Sequence, residues 1–341
     1  MKKITKKKIK AAILMKIKKP LVIKKLEMPN IGDKQVLVKI FYSGICQSQI
    51  MEIDGGRNNN KYLPHMLGHE ASGKIIKIGS KVKKVKKGDE VILSWIKSSG
   101  KSCNGGFIRD SKQNINYGPI TTFSNYSIIS ENRVVKKPKF IDRKLATLFG
   151  CALSTGAGMV LKYGKITKEK RVLIYGLGGV GFCSLITLLA LNHKNIYVYD
   201  INLNKSNLAE KFGAKKIDLK KLRKYSNFFD ICIETCGKTK TIENGISLIK
   251  NSGKLIFASH PPKNQKIKIN PHDLIKGKKI IGSWGGSTNP DKDLKLYFNV
   301  IKKKIPLFNF LISKIYNLSE INLAIKQMRK GNVIRPLIKF T

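Results

Sequence analysis

The sequence predicts an α/β protein in which a β-rich part precedes a doubly wound parallel sheet. Its 341 residues exceed what one ordinary hydrophobic core accommodates, so two domains are expected. From residue 10 to about 147, short β-rich runs alternate with turn signals. From about 148 to 285, strand-like and helix-like runs alternate, which is typical of a parallel sheet covered by helices.

The β-rich part begins at Ala11–Met15, an apolar run that is too short for a signal-peptide core and is interpreted as the first strand. Residues 1–10 before it are interpreted as a basic tail. Further strands are predicted at Gln35–Tyr42, Gly73–Ile78 and Val91–Trp95.

The second part begins with a strand at Arg171–Tyr175, a glycine-rich turn and an apolar helix at Cys183–Leu191. The span Val172–Leu191 is long enough for a membrane helix, but it contains four glycines within six residues. A strand, a tight turn and a buried helix therefore explain it better. The elements that follow are strand, helix, strand, strand and helix, at Asn195–Tyr199, Ser206–Phe212, Phe229–Glu234, Lys254–Ala258 and Ser319–Lys330, the last capped by Ser319.

The glycine-rich turn has the features of a dinucleotide site. A Gly-x-Gly-x-x-Gly pattern alone is a weak signal, but here a strand precedes it and an apolar helix follows it. Asp200 ends the next strand, where its carboxylate can accept hydrogen bonds from both ribose hydroxyls and would repel a 2′-phosphate. The sequence therefore predicts NAD rather than NADP. The turn residues are Gly176, Gly178, Gly179, Val180 and Gly181.

Two cysteines and a histidine form a candidate metal site. Thiolates from Cys46 and Cys151 with the imidazole of His69 suit a catalytic zinc that keeps a fourth position open. Each residue alone is more often a buried cysteine or a hydrogen-bonded histidine. A Lewis-acidic metal and a nicotinamide cofactor in one chain indicate hydride transfer at an alcohol or carbonyl carbon.

The composition indicates a globular protein with free thiols. The chain is 42% hydrophobic and 26% charged, and its six cysteines have no disulfide-rich spacing, which favours a reducing compartment such as the cytoplasm. The net charge of +46 comes mostly from lysines scattered through every segment, with few arginines for phosphate or base recognition. We therefore expect neither a nucleic-acid nor a membrane partner.

Four motifs together resemble the zinc-containing alcohol dehydrogenases of the medium-chain dehydrogenase/reductase superfamily. The resemblance covers nearly the whole chain and implies a GroES-like catalytic domain (1–147), a Rossmann domain (148–287) and a C-terminal segment (288–341) that completes the catalytic domain. The motifs are Ser43-Gly44-Ile45-Cys46, Gly68-His69-Glu70-Ala-Ser-Gly73, Phe149-Gly150-Cys151 with Ser154-Thr155-Gly156, and Ile334-Arg335.

The resemblance implies roles for further residues. Ser48 would bond the substrate oxygen, Glu70 would lie beside the zinc, and Trp95 would line the substrate pocket. Thr155 would lie by the nicotinamide and Lys205 near the ribose. Arg335 would reach the cofactor pyrophosphate. The resemblance also implies a homo-oligomer, either a dimer or a tetramer.

The chain departs from the family pattern in two places. Gln47, Gln49 and Met51 replace residues that support the histidine ligand and the proton relay in many members. The loop that holds a structural zinc in many relatives has only Cys103 here, so residues 97–118 are expected to be a metal-free loop and the chain to bind one zinc.

Three functions are therefore compared. The first is a zinc-dependent, NAD-linked dehydrogenase acting on an alcohol, a polyol or a sugar-derived alcohol. The second is a zinc-free enone or quinone reductase of the same fold, which the Cys46, His69 and Cys151 set disfavours. The third is a basic protein that binds nucleic acid, which the scattered lysines disfavour.

Overall fold

The computed structural model describes residues 8–58, 60–110, 113–163, 166–218 and 224–340. The strands of this part of the chain are β1 Lys8–Leu14, β2 Val22–Glu27, β3 Gln35–Gly44, β4 His65–Met66, β5 Glu70–Ile78, β6 Glu90–Ser94, β7 Gly106–Asp110, β8 Gln113–Tyr117, β9 Tyr126–Ser130, β10 Val134–Lys136, β11 Val172–Tyr175, β12 Ile196–Tyr199, β13 Lys215–Lys216, β14 Phe229–Glu234, β15 Ile249–Phe257, β16 Lys279–Gly282, β17 Ile315–Asn317 and β18 Leu337–Lys339. The α-helices are α1 Gln47–Ile53, α2 Arg143–Leu148, α3 Ala152–Gly158, α4 Gly179–Ala190, α5 Leu203–Lys211, α6 Thr239–Leu248, α7 Pro271–Ile275, α8 Pro290–Ile301, α9 Ile305–Leu311 and α10 Ile321–Arg329.

The chain divides into two compact units. Unit 1 contains the described residues of Met1–Cys151, Asn289–Lys292 and Ile312–Thr341, and unit 2 contains those of Ala152–Thr288 and Asp293–Leu311. The domain limits at residues 147 and 287 stay predictions. None of the helices that the described ranges contain is long and apolar enough to cross a membrane.

Unit 1 is built on two sheets. Within the described residues, one sheet has the order β2-β1-β4-β8-β7, and the other has the order β10-β6-β5-β3-β18-β17 with β9 also paired to β3. Strand β1 starts at Lys8, earlier than predicted, because Ile9 already points into the core. Residues 1–7 of the predicted basic tail lie outside the described residues.

The segment from residue 97 to residue 118 is not the loop that the sequence predicted. It contains the antiparallel strands β7 and β8, and β8 pairs with β4 of the first sheet. Ile108 and Ile115 from this hairpin pack in a core cluster with Ile13, and Lys24 pairs with Asp110 across 2.5 Å. Ile108 and Ile115 lie on one face of these strands. The glycine, serine and asparagine residues around them favoured the prediction of a loop. Apolar packing thus supports the segment.

Unit 2 is a doubly wound α/β layer, as predicted. Its described strands form a parallel sheet in the order β13-β12-β11-β14-β15-β16, which is the order of a Rossmann fold. Helix α4 starts at Gly179 rather than at the predicted Cys183, because the glycine turn itself supplies its first turn. Helix α5 starts at Leu203 rather than at Ser206, because the Asn202 side chain caps it by accepting from the Asn204 N–H at 3.0 Å.

The last helix, α10, begins beyond the predicted cap. Ser319 lies in a 3₁₀ turn before the helix, and the prediction that it caps the helix is wrong. The Glu320 carboxylate accepts from the Asn317 N–H at 2.8 Å, so Asn317 caps the 3₁₀ turn that precedes α10.

Candidate metal and dinucleotide sites

The metal-ligand candidates come from three loops of unit 1 that converge. Cys46 lies between β3 and α1, His69 between β4 and β5, and Cys151 between α2 and α3. One donor atom from each lies within 4.8 Å of the other two. The described residues contain this one group of three such side chains. The structure therefore brings together the three residues that the sequence selected.

Close backbone packing places the histidine loop. Gly68 has a φ of +95°, and a Cβ there would lie 2.4 Å from Thr122 Oγ1 and 2.8 Å from the Phe123 N. The backbone N–H groups of Thr122 and Phe123 both donate to the Leu67 carbonyl at 3.0 Å. Only glycine permits this approach, which sets the direction of the following His69 side chain.

Two contacts hold the cysteine loops. The Ser94 hydroxyl, at the end of β6, donates to the Gly150 carbonyl at 2.8 Å. A Cβ at Gly150 would lie 2.3 Å from the Leu93 carbonyl oxygen. Cys151 therefore follows a residue that lies directly against β6.

A hydrogen bond between the two thiols shifts their pKa values in opposite directions. A hydrogen bond from the Cys151 thiol is the main cause that lowers the pKa of Cys46 well below its usual range. The same hydrogen bond, together with burial, raises the pKa of Cys151. The negative charge of the pair is therefore favoured on Cys46, where it would attract a cation.

The histidine ring presents one free nitrogen to the thiols. His69 Nε2 is buried and has no hydrogen-bond partner within the described structure. The other nitrogen, Nδ1, contacts the Gln49 side-chain amide and lies 3.5 Å from Ser48 Oγ. A buried nitrogen without a partner is unfavourable, and a metal bound there would satisfy it. The two sulfur atoms and this nitrogen fit zinc.

Gln49 joins two of the ligands. Its Oε1 accepts from the Cys46 N–H at 2.9 Å, while its amide group touches His69 Nδ1. Helix α1 places it there, because Gln49 lies three residues after Cys46 and faces inward. The sequence identified Gln49 only as a departure from the family pattern.

A buried ion pair lies beside the cysteines. Arg335 Nη2 lies 2.7 Å from Glu70 Oε1, and both side chains are almost fully buried. A Cβ at Gly44 would lie 2.0 Å from that same carboxylate oxygen. Burial raises the pKa of Glu70, and the charge of Arg335 opposes this shift.

Strand register explains why these two residues meet. Gly44 pairs with Leu337 of β18, and Ser43 pairs with Ala71 of β5. Glu70 and Arg335 therefore lie on either side of the end of β3. The guanidinium of Arg335 is directed at Glu70 in unit 1, and its contact with a pyrophosphate stays a prediction.

Trp95 lies next to the histidine ligand. Its ring meets the His69 ring edge-on, with centroids 6.4 Å apart and an angle of 61°. This follows from the pairing of β5 with β6, where Glu70 faces Ser94. An aromatic surface thus adjoins the candidate metal site, and the role of Trp95 in lining a substrate pocket stays a prediction.

The glycine turn of unit 2 packs as closely as a dinucleotide site requires. Gly176 has a φ of +102°, and a Cβ at Gly181 would lie 2.0 Å from the Gly176 carbonyl oxygen. Gly179, Val180 and Gly181 form the first turn of α4, whose N–H groups can bind an anion.

Of the other residues predicted to bind the cofactor, Asp200 contacts this turn directly. The Asp200 carboxylate accepts from the Leu177 N–H at 2.6 Å and from the Asn202 N–H at 2.8 Å, so it is fixed beside the turn. Lys205 is half-buried in the first turn of α5. The Thr155 hydroxyl on α3 is buried and has no hydrogen-bond partner among the described residues.

Sequence reasoning missed Glu234, which ends β14. Its buried carboxylate accepts from the Cys236 N–H at 2.8 Å, the Gly237 N–H at 3.1 Å and the Thr241 hydroxyl at 2.7 Å. These contacts fix the loop that follows β14. A glutamate that directly follows the apolar residues 231–233 at the carboxyl end of the strand is the signal that could have identified it.

Two family models match parts of the sequence that lie in unit 1 and in unit 2. The model described as "Alcohol dehydrogenase GroES-like domain" matches residues 32–139, and that described as "Zinc-binding dehydrogenase" matches residues 179–302. Together they cover more than half of the chain. The chain belongs to the zinc-containing alcohol dehydrogenase family. This is a family of oxidoreductases, and the chain has the GroES-like unit and the Rossmann unit that are typical of it.

Solved structures of this family superpose over almost the whole chain. Benzyl alcohol dehydrogenase from Acinetobacter calcoaceticus is 26% identical with a TM-score of 0.86, covering 98% of this chain and 100% of its own. A putative zinc-binding dehydrogenase from Sinorhizobium meliloti bound to NADP is 20% identical with a TM-score of 0.78 and the same coverage. An Escherichia coli alcohol dehydrogenase complexed with NADH is 19% identical with a TM-score of 0.78, covering 98% and 99%.

Proposed function

We propose that this protein is a zinc-dependent dehydrogenase that transfers a hydride between an alcohol and NAD. The observation that carries the proposal is the donor set of Cys46, His69 and Cys151, in which the buried His69 Nε2 has no hydrogen-bond partner within the described structure. Zinc held there would supply a Lewis acid for the substrate oxygen, and NAD would supply the hydride acceptor.

Residues around the donor set would orient the substrate and receive its proton. Ser48 follows Cys46 by two residues, and its Oγ lies 3.5 Å from His69 Nδ1. We assign to this hydroxyl the first acceptance of the proton from the substrate hydroxyl group. Trp95, edge-on to His69, would exclude water on one side of the substrate.

The buried pair of Glu70 and Arg335 would balance the charge of this site. With Cys46 as thiolate, the Arg335 guanidinium is the nearby cation that stabilises both negative groups. Glu70 is buried beside the cysteines and lies close enough to adjust the field at the metal.

Asp200 supports NAD as the cofactor. Two backbone N–H groups fix its carboxylate beside the glycine turn, where it can accept from the ribose hydroxyls of NAD and repel the 2′-phosphate of NADP. Lys205, in the first turn of the next helix, would lie near the same ribose.

We also propose that the protein forms a homo-oligomer through the edge of the unit 2 sheet. Strand β16 ends the described sheet, and Leu274 and Ile275 before it are 46% and 78% exposed. A second copy that adds its own β16 would pair this edge and cover the two apolar side chains. Light scattering on the purified protein tests this, because a monomer at micromolar concentration would contradict it.

Unmodified Cys46 and Cys151 thiols are needed for this activity, so we propose a reducing compartment, the cytoplasm, as its location. The six cysteines are all free in the structure.

An activity screen with metal analysis tests the proposal. Purified protein is assayed with NAD and NADP against primary, aromatic, polyol and sugar-derived alcohols, with and without a chelator. Aromatic alcohols are tested first because Trp95 adjoins the site and a 26% identical relative is a benzyl alcohol dehydrogenase. NAD-linked oxidation that chelation abolishes supports the proposal. Chelator-resistant reduction of enones or quinones would instead support the zinc-free reductase.

A further inference from the structure

Unit 1 contains an open cavity with a strongly cationic lining. Its volume is about 610 Å³, which is in the range of sites for small organic ligands. The described residues that line it include none of those assigned above to zinc, substrate or cofactor. We call it the cationic cavity, and its cations are Lys137, Lys139, Arg143, Lys144 and Lys339.

Two paired strands form one wall of the cationic cavity. Lys339 of β18 pairs with Tyr42 of β3, and the Phe340 N–H donates to the Phe41 carbonyl at 2.9 Å. All four residues line the cavity. This wall therefore combines three aromatic side chains with one lysine.

Much of the remaining lining comes from residues 137–144. The Lys137 side chain is 7% exposed, and its Nζ donates to the Ile141 carbonyl at 2.7 Å, which fixes the turn between these two residues. The Arg143 guanidinium lies over the Phe41 ring, 3.9 Å from its centroid. The segment is therefore held both to itself and to β3.

The two acidic groups of the cavity are already bound by protein groups. Arg143 Nε donates to Glu90 Oε1 at 3.1 Å, and Lys137 Nζ lies 3.4 Å from Glu90 Oε2. Asp142 Oδ1 accepts from two backbone N–H groups at the start of α2, at 2.7 and 3.2 Å. Neither carboxylate therefore pairs with the other lysines of the cavity.

Three exposed lysines of the cavity have no acidic partner among the described residues. They are Lys139, Lys144 and Lys339, which come from the turn before α2, from α2 and from β18. With five cations and two acids, the lining has a net charge of +3. Like charges around one cavity repel each other, and a bound anion would relieve this repulsion.

The chemistry of the lining favours phosphate groups over a single carboxylate. A lysine ammonium is a compact point charge with three donors, and it commonly binds phosphate. A chain of phosphate groups concentrates several negative charges in a small volume, which matches three uncompensated lysines around one cavity. The aromatic wall adds a surface on which the ring of a nucleotide can stack.

We propose that the cationic cavity binds a small polyphosphate anion through Lys139, Lys144 and Lys339. Two sources offer this chemistry, inorganic triphosphate and a nucleoside triphosphate. The phosphate chain is common to both, and the second also carries a ring that can contact the aromatic wall. The site is independent of the proposed zinc and NAD sites, because it uses other residues of the chain.

Calorimetry with three probes tests this proposal at one fixed ionic strength. The probes are inorganic triphosphate, ATP and adenosine, and the protein is the full chain. The cavity variant combines Lys139→Gln, Lys144→Gln and Lys339→Gln. The matched control combines Lys25→Gln, Lys77→Gln and Lys97→Gln, which remove the same charge from exposed positions of unit 1 outside the cavity.

The cavity variant should bind triphosphate and ATP about tenfold more weakly or worse, because three ion pairs are lost. The control should change either affinity less than about threefold, because it alters only the general positive field. Replacing the same three cavity lysines by arginine should restore binding, since the charges return. The melting temperature of the cavity variant should not fall, because the three side chains have no partner to lose.

The comparison of probes identifies the source. Tighter binding of ATP than of triphosphate supports a nucleoside triphosphate, and equal binding supports an inorganic polyphosphate. Adenosine alone should not bind to the cavity, so any adenosine binding should be the same in the wild type and the cavity variant.

Three results would overturn the proposal. The first is a wild type that binds neither triphosphate nor ATP at concentrations up to about 1 mM. The second is an equal loss of affinity in the cavity variant and the control, which would show attraction by net charge alone. The third is full binding by the cavity variant, which would place the anion elsewhere, for example at the glycine turn. None of these results bears on zinc binding or NAD use.

Discussion

The zinc affinity of Gln49 variants offers a quantitative test of the site. The Gln49 side chain makes two contacts with ligand residues, one to His69 Nδ1 and one to the Cys46 N–H. Gln49→Ala removes the hydrogen bond to the Cys46 N–H, which contributes about 0.5–1.5 kcal/mol, and it also removes the side chain that packs against the His69 ring. We therefore expect zinc to bind about 10- to 100-fold more weakly, which is the usual effect of losing a group that orients a ligand.

A second variant, Gln49→Glu, should not weaken zinc binding. When Nε2 binds a metal, Nδ1 carries the proton and needs an acceptor. A carboxylate at position 49 can accept from both Nδ1–H and the Cys46 N–H, so Gln49→Glu should bind zinc at least as tightly as the wild type.

Competition with a chromophoric chelator measures these affinities at fixed pH. Gln47→Ala is the matched control, because Gln47 lies two residues away on the same helix and makes no side-chain hydrogen bond within the described structure. If Gln49→Ala binds zinc like Gln47→Ala, or if Gln49→Glu binds more weakly than Gln49→Ala, then the Gln49 amide does not orient His69 and the reasoning is refuted.

Three further predictions follow from the described contacts. Asp200→Ser should narrow the preference for NAD over NADP in kcat/KM, and a wild type that already prefers NADP would contradict this assignment. Ser48→Ala should lower kcat about 10²- to 10⁴-fold while zinc and NAD binding persist, and full activity would show that the proton leaves by another route. Ile115→Ala should lower the free energy of unfolding by about 2–5 kcal/mol. Phe107→Ala, in the same hairpin but 55% exposed, should change it by less than about 0.5 kcal/mol in urea titrations, and equal effects would contradict the packing account.

Much of the fold could be predicted from local patterns. The family models confirm the family and the two-part α/β class. Both could be predicted because a buried parallel strand such as Val172–Tyr175 is a continuous apolar run and the glycine turn has few alternatives. The metal ligands could be selected because each stands within a distinctive run, such as Gly68 before His69.

Other features depend on tertiary contacts that no local pattern encodes. The pairing of Arg335 with Glu70 joins residues far apart in the chain, and it arises because β18 and β5 flank the same strand. Strands β7 and β8 lie in a segment that was expected to be a loop, because Ile108 and Ile115 indicate strands only once the first sheet is known to pack against them. Likewise, the cationic cavity of unit 1 depends on the pairing of β3 with β18.

The number of zinc ions per chain tests the central claim most directly. The described residues offer one three-residue donor set, and Cys103 lies apart from it, with its N–H bonded to the Ser130 hydroxyl at 3.0 Å. Elemental analysis of protein purified without a His-tag should give one zinc per chain. Cys46→Ser and Cys151→Ser should lower that number and abolish activity, while Cys103→Ser should change neither. Two tightly bound zinc ions, no zinc at all, or metal loss on changing Cys103 would contradict the account.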